Sequence, residues 1–103
     1  MIDRFTFVRL TAAHAHIEGR TEILDRVRQA LTGVPGLQRL ALGTPADASA
    51  DKWDLSIVAR FDDLAALQAA MATVAWASVF EHLLPSRAIV VKAWSFAVDD
   101  ALA

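Results

Sequence analysis

The sequence predicts an α+β domain with the element order β-α-β-β-α-β and a four-stranded antiparallel sheet. Segments rich in β-branched and aromatic residues alternate with segments whose apolar residues recur at helical spacing. A turn containing two glycines and a proline (33–36) separates the first helical segment from the next strand. The chain has 103 residues, enough for one core but not for two. We therefore expect residues 1–103 to form a single domain.

Four segments have the composition of β-strands: 2–10, 37–43, 53–61 and 88–96. Successive side chains of a strand point to opposite faces of a sheet. In the first strand this alternation separates two sets of side chains: Phe5, Phe7 and Arg9 from Arg4, Thr6, Val8 and Leu10. In the third strand it separates two further sets: Trp53, Leu55, Ile57, Ala59 and Phe61 from Asp54, Ser56, Val58 and Arg60.

Two segments between the strands are predicted to be helical. Residues 20–32 have helical spacing and precede Gly33, which predicts a left-handed cap at that glycine. Asp62 or Asp63 can cap the second helix, and helical spacing continues to Pro85, with a separate short helix as one possibility. Residues 44–52 are predicted to form a loop, and the tail 98–103 to fray.

This element order is the ferredoxin-like, or split βαβ, arrangement, in which both helices cover one face of the sheet. The hydrophobic fraction of 55% is high for so short a chain and favours a subunit interface or an apolar cavity. We expect a homodimer formed through the bare face of the sheet. Its candidate contact residues are Phe5, Phe7, Arg9, Asp54, Val58 and Arg60. The three charged residues of this set could form cross-strand ion pairs or an internal polar site at the dimer axis.

Charge and composition exclude several classes of partner. Ten Lys and Arg against twelve Asp and Glu give a formal charge of −2 without a basic stripe, which argues against nucleic acid. The chain has no cysteine and therefore no disulfide or thiolate site. No apolar run is long enough to span a membrane, so we expect a cytoplasmic protein without a membrane partner.

Several motifs, taken in order, resemble the stress-responsive A/B-barrel (Dabb) family. They are 5–10 (FTFVRL), 34–37 (VPGL), 42–43 (LG), 53–55 (WDL) with 60–67 (RFDDLAAL), Phe80 with 83–85 (LLP), and 91–94 (VKAW). The resemblance covers residues 1–96. It implies a dimeric α+β barrel with a pocket between the sheet and the helices, and no cofactor.

The resemblance does not extend to a catalytic mechanism. The family's cyclase motif is similar to Y-x-x-H-P-x-H-x-x-F, and aligning its last position with Phe80 places Met71 at the Tyr, Val74 at the first His and Ala77 at the second. The frequent first-strand His falls on Arg4. Met, Val and Ala cannot transfer a proton, and the chain contains no Tyr. The catalytic residues, if any, stay unassigned.

The expected pocket is mostly apolar. Its candidate residues are Arg4, Thr6, Leu55, Ile57, Met71, Trp76, Phe80, His82 and Trp94. Arg4 could bind an anionic or carbonyl group of a ligand, or it could pair with a helix carboxylate such as Glu22 or Asp25. Trp76 and Met71 could instead fill the cavity, and Trp53 and Trp94 suit core packing.

Three functions fit these features. The first is a homodimer that binds a small hydrophobic or aromatic molecule without catalysis. The second is a cofactor-free cyclase-like lyase or monooxygenase for an aromatic or polyketide-like substrate, in which Arg4, Thr6, Trp76 and His82 replace the Tyr–His pair. The third is a structural role in a larger assembly. His14 and His16 have a spacing that suits zinc, but no third ligand lies at a motif spacing, so we assign no metal site.

Overall fold

A computed structural model, which describes residues 1–100, contains one four-stranded antiparallel sheet with the strand order β2-β3-β1-β4. The strands are β1 (Ile2–Leu10), β2 (Arg39–Gly43), β3 (Leu55–Phe61) and β4 (Ala88–Ala97). The helices are α1 (Ile17–Leu31), α2 (Leu64–Met71), α3 (Val74–Ala77), a π-helix (Ser78–Leu83) and α4 (Leu84–Arg87), and a 3₁₀ turn spans Ala48–Ala50. The predicted ferredoxin-like α+β fold is confirmed.

The central strand β1 determines which residues share a face of the sheet. Phe5 lies opposite Val58 of β3 and Trp94 of β4, so these three side chains belong to one face. Thr6 lies opposite Ile57 and therefore belongs to the other face. The helices cover this second face, and its side chains form the core with those of α1 and the later helices: Val8, Leu10, Ile23, Val27, Leu31, Leu55, Ile57, Ala59, Phe61, Leu67, Trp76, Val79 and Leu84. The face that carries Phe5 has no layer over it within residues 1–100, and we call it the open face.

Helix α1 begins three residues before the predicted position because a histidine caps it. The Nδ1 atom of His16 accepts a hydrogen bond from the backbone N–H of Gly19 at 3.1 Å, which satisfies one of the free donors of the first turn. The Cβ atom of any other residue at Gly19 would clash with the carbonyl oxygen of His14. The glycine therefore allows the chain before the helix to fold back onto the first turn.

The predicted left-handed cap at Gly33 was wrong. Helix α1 ends at Leu31, and the residue that caps it, Thr32, has an ordinary helical conformation with φ of −56°. Within the described residues, Gly36 is the one residue with positive φ, at 85°, and it lies in the turn that leads to β2. Both glycines flank the same Val-Pro pair, so composition alone could not distinguish the turn glycine from its neighbour.

The second helical region is divided into four short pieces. Asp63 caps α2 by accepting from the backbone N–H of Ala66 at 2.8 Å, and Thr73 caps α3 by accepting from Trp76 at 3.2 Å. The helix then widens into the π-helix, which runs without a break into α4, and Pro85 lies in the first turn of α4. The predicted separate helix before Pro85 is therefore real, and the helix continues past the proline to Arg87.

Strand β3 begins at Leu55 and not at the predicted residue 53, because Asp54 turns out of the strand. Its Oδ2 accepts from the backbone N–H of Leu10 at 2.7 Å, and its Oδ1 accepts from Nη2 of Arg20 on α1 at 2.7 Å. Asp54 is 8% exposed. The prediction that it lies on the dimer face was wrong: it joins the end of β1 to α1.

The tail is ordered as far as the structure describes it. The backbone N–H of Val98 donates to the carbonyl of Met1 at 3.0 Å, and Asp100 pairs with Arg60. The predicted fraying is thus wrong for 98–100, and residues 101–103 lie outside the described residues.

In the described part of the chain, no single helix has the length and apolar character to cross a bilayer. The two helical stretches Leu64–Met71 and Val74–Arg87 pass that test only when taken together, although they bend by 70°.

Replacement of Gly36 by Ala should destabilise the fold. An L-residue at φ of 85° is strained by about 1–2 kcal/mol, while the added methyl group meets Ala66 and Phe61 only at ordinary contact distances. Gly33→Ala is the matched control: it meets no atom within 4 Å and lacks the positive φ, so stability should stay the same or rise by about 0.5 kcal/mol. Urea unfolding of the two variants measures the difference, and equal midpoints would contradict the assignment of the turn.

Replacement of Asp54 by Ala should also destabilise the fold, by about 2–3 kcal/mol, because it leaves the N–H of Leu10 and the guanidinium of Arg20 without their acceptor. Asp25→Ala is the control, since it removes an exposed carboxylate that pairs with Arg28 and should cost below about 0.5 kcal/mol. The check is again urea unfolding. If Asp54→Ala lowers the free energy of unfolding no more than Asp25→Ala does, the link from β1 to α1 does not stabilise the fold.

Candidate functional site

A cavity of about 230 Å³ lies between the sheet and the second helical region. Five of the predicted pocket residues line it: Arg4, Thr6, Met71, Trp76 and Phe80. Three residues that were not predicted complete the lining: Glu81, Val91 and Ala93. Because β1 and β4 supply one wall and α2, α3 and the π-helix supply the other, the cavity exists only in the assembled fold. We call it the helix-side cavity.

Stacked aromatic side chains form one wall of the helix-side cavity. The rings of Trp76 and Phe80 lie 4.3 Å apart with an interplanar angle of 30°, and Trp76 also packs against Phe61 at 6.1 Å. Trp76 is 5% exposed and fixed by these contacts. It builds the wall without filling the space, as does Met71, which is partly exposed. The cavity therefore offers a flat apolar surface to a planar ligand.

Charged and polar groups lie beside this apolar wall. Nη1 of Arg4 donates to Oγ of Ser95 on β4 at 3.0 Å, which holds the guanidinium across the two strands. The predicted alternative pairing of Arg4 with Glu22 or Asp25 was wrong, because these carboxylates pair with Arg26 and Arg28 on their own helix.

The π-helix explains why Glu81 lines the cavity and its neighbour does not. A π-helix has a wider turn than an α-helix and changes which side chains share a face. Phe80 and Glu81 both line the cavity, whereas His82 is exposed and does not. Glu81 was missed because helical spacing assigns faces from a period of 3.6 residues, and a π-turn departs from that period without a motif that reveals it.

Several predicted pocket residues lie elsewhere. Leu55 and Ile57 are each 1% exposed and belong to the core beneath the helices. His82 is on the outer surface of the π-helix. Trp94 lies on the open face, because it is opposite Phe5, and it is 46% exposed. Trp53 precedes β3 and packs against Phe7 at 5.8 Å on the same open face, so the expectation of core packing for these two tryptophans was wrong.

The open face carries most of the aromatic residues of the chain. Five of the eight aromatic residues lie there and contact one another in pairs: Phe5 with Phe96, and Phe7 with Trp53 and Trp94. Phe96 is 56% exposed. Four of these aromatic residues line a shallow concavity of about 580 Å³ together with Ala97 and Val98. An exposed apolar patch of this kind is typical of an interaction surface.

Ion pairs border the aromatic patch. Arg60 of β3 donates to both carboxylate oxygens of Asp3 on β1, at 2.7 and 2.9 Å, and also to Asp100 at 2.7 Å. Arg60 thus forms a cross-strand ion pair with Asp3, a residue outside the predicted set, while the carboxylate of that set, Asp54, pairs with Arg20. The Arg60 guanidinium lowers the pKa of the Asp100 carboxyl through these hydrogen bonds, and the two carboxylates raise the pKa of Arg60. Arg9 is exposed at the far end of β1 on the same face.

The two loop histidines have structural contacts. His16 caps α1, and its Nε2 lies 3.1 Å from the carbonyl oxygen of Ala13. Among residues 1–100, no group of three or more His, Asp or Glu side chains is placed to hold a metal ion. His14 and His16 therefore lack the third ligand that a zinc site requires.

Comparisons with known proteins relate the chain to a fold. No family model matches it, and neither does any curated protein sequence. Among solved structures, a Dabb family protein with a ferredoxin-like fold from Mesorhizobium loti has a TM-score of 0.80 and 12% identity, covering 94% of this chain and 95% of that one. A dimeric ferredoxin-like protein of unknown function from Thermobifida fusca has a TM-score of 0.78 and 17% identity, covering 94% and 90%.

An enzyme is also among the similar structures. The hydroxynitrile lyase of Passiflora edulis has a TM-score of 0.79 and 10% identity, covering 99% of this chain and 96% of that one. Identities this low support the shared fold and do not transfer a function. The three structures above are described as a Dabb family protein with a ferredoxin-like fold, a dimeric ferredoxin-like protein and a lyase.

Proposed function

We propose that this chain is a homodimeric protein of the Dabb kind that binds a small apolar or aromatic molecule in the helix-side cavity. The cavity is the observation that carries the proposal, because it is empty space lined by a fixed aromatic stack and two charged groups. Its volume of about 230 Å³ lies below the roughly 300–1,000 Å³ of pockets for drug-sized ligands. An apolar cavity of about 150 Å³ holds benzene. The expected ligand is therefore the size of a single substituted ring.

The open face supports the dimer part of the proposal. Trp94 and Phe96 are about half exposed, and burying the exposed part of each would contribute about 1–2 kcal/mol. The Cα atoms extend only 19 Å along the short axis, which is the thickness of one sheet and one helix layer. A second copy would supply the third and fourth layers by packing its own sheet against the aromatic patch. Solved structures of the same fold are described as dimeric.

An enzymatic alternative rests on Glu81. The cyclase positions of the resembled family carry no proton-transferring group here, and His82, which we considered as a substitute, does not line the cavity. Glu81 does line it and could act as a general base beside Arg4, with Thr6 and Trp76 completing the site. Such a lyase or monooxygenase would need no cofactor. Conversion of a co-purified ligand by the wild type but not by Glu81→Gln would favour the enzyme over the binding protein.

Blocking the cavity tests the binding function. Ala93 lines the cavity, and Ala93→Phe should fill part of it and abolish binding of a single-ring ligand without changing the dimer. Native mass spectrometry of gently purified protein, with and without added 4-methylphenol, measures both the bound mass and the subunit number. Ala69→Phe, at an exposed position of α2, is the matched control and should bind as the wild type does. Equal binding by Ala93→Phe and Ala69→Phe would show that the ligand binds outside the helix-side cavity.

Placing a charge on the aromatic patch tests the dimer. Trp94→Glu should produce a monomer, because a carboxylate would be buried without a partner in the sheet–sheet contact. Val74→Glu is the control, since Val74 is 86% exposed on the helix side and should leave the dimer intact. Size-exclusion chromatography with light scattering gives the masses, and circular dichroism checks that both variants fold. A Trp94→Glu dimer would show that another surface joins the subunits.

A further inference from the structure

Two opposite charges line the helix-side cavity without neutralising each other. Arg4 enters from β1 and Glu81 from the π-helix, and within residues 1–100 the two side chains do not form an ion pair. In that part of the chain, Arg4 donates to the neutral hydroxyl of Ser95, and the carboxylate of Glu81 accepts no side-chain hydrogen bond. A cavity built only for an apolar molecule has no use for such a pair, because covering either charge with an apolar ligand costs desolvation energy.

A third polar group lies deeper in the cavity. Thr6 is 1% exposed, and its hydroxyl makes no hydrogen bond among the described residues. Nevertheless, in the described part of the chain every side-chain nitrogen or oxygen that is fully inaccessible to solvent has a hydrogen-bond partner. The hydroxyl oxygen of Thr6 must therefore reach the cavity space that this residue lines. Buried polar groups are nearly always paired, so this hydroxyl is available to a ligand.

We propose that the ligand is a single-ring aromatic zwitterion, with a carboxylate that accepts from Arg4 and Thr6 and an ammonium group that donates to Glu81. The inference rests on the proposed binding function and names its ligand class. A carboxylate matches the donors of Arg4 and the Thr6 hydroxyl. An ionised carboxylate only accepts, so a ligand group that contacts the exposed Glu81 must be a donor, and a cationic donor gives the stronger bond. The ring between the two groups packs against Trp76 and Phe80.

Exposure sets the orientation of this ligand. Thr6 and Trp76 are almost fully buried, whereas Met71 and Glu81 are exposed and lie at the mouth. The carboxylate therefore enters first and loses its water, which the charged hydrogen bond from Arg4 offsets. The ammonium group stays near the mouth and keeps part of its hydration. The Arg4 contact should accordingly contribute more to the affinity than the Glu81 contact.

Four probes with the same ring separate the two contacts. They are 4-(aminomethyl)benzoate with both charges, 4-methylbenzoate with the acid, 4-methylbenzylamine with the amine, and p-xylene with neither. Chemical shifts of the Thr6 amide and the Trp76 indole N–H report binding at the cavity in titrations of the intact protein. The zwitterion should bind about 10-fold or more tightly than the amine and about threefold more tightly than the acid.

Two variants assign each charge to its residue. Arg4→Met should lower the affinity for both carboxylate probes about 10-fold and leave the affinity for p-xylene unchanged. Glu81→Gln should lower the affinity for the two amine probes about threefold and leave the affinity for 4-methylbenzoate unchanged. Arg28→Met, on the exposed surface of α1, is the control and should behave as the wild type.

The titrations distinguish failure of this inference from failure of the proposed function. If p-xylene binds at the cavity as tightly as the zwitterion, the cavity holds apolar molecules and the zwitterion inference is wrong. The same conclusion follows if Arg4→Met or Glu81→Gln changes the affinity for all four probes equally. If none of the probes changes the chemical shifts of the Thr6 amide or the Trp76 indole N–H, both the proposed binding function and the inferred ligand class are wrong.

Discussion

The structure depends on the position of β1 in the middle of the sheet. A central strand pairs on both sides, and its side chains must alternate between the two faces without exception. Thr6 and Val8 therefore belong to the cavity and the core, while Phe5 and Phe7 belong to the open face. A shift of one residue in the pairing of this strand would exchange the two sets. The ion pair of Asp3 with Arg60 and the hydrogen bond that the Leu10 N–H donates to Asp54 hold the two ends of β1 in this register.

The sequence predicts the fold and the faces of β1 well because both depend on local patterns. The strand alternation of β3 is regular from Leu55 to Phe61, and every second residue is buried, as the pattern predicts. Element order then leaves few topologies. Cap positions could not be predicted with the same success. His16 is not a typical N-cap residue, and its role follows from the way the chain before α1 folds back over Gly19.

The misplacement of Trp94 has a different physical origin. Residues 88–96 carry apolar side chains at both odd-numbered and even-numbered positions, so the sequence of β4 does not indicate which residues face the helices. The pairing with β1 decides it, because Trp94 lies opposite Phe5. This pairing cannot be read from the sequence of β4 alone. The π-helix moves Glu81 and His82 for a similar reason, because its extra residue per turn leaves no signature in the apolar spacing.

The open-face concavity and the helix-side cavity differ in what they can hold. The open-face concavity is larger, at about 580 Å³, but it is shallow and bordered by ion pairs that already satisfy one another. Such a surface gains most from contact with another apolar surface, because its charges need no new partner. The helix-side cavity is smaller and contains Arg4, Glu81 and the Thr6 hydroxyl, which do not pair among themselves within residues 1–100. A protein surface could not satisfy three such groups inside about 230 Å³, whereas a small molecule with polar ends can. The sheet thus separates the aromatic face, on which we propose that a second copy packs, from the face that carries the proposed ligand cavity.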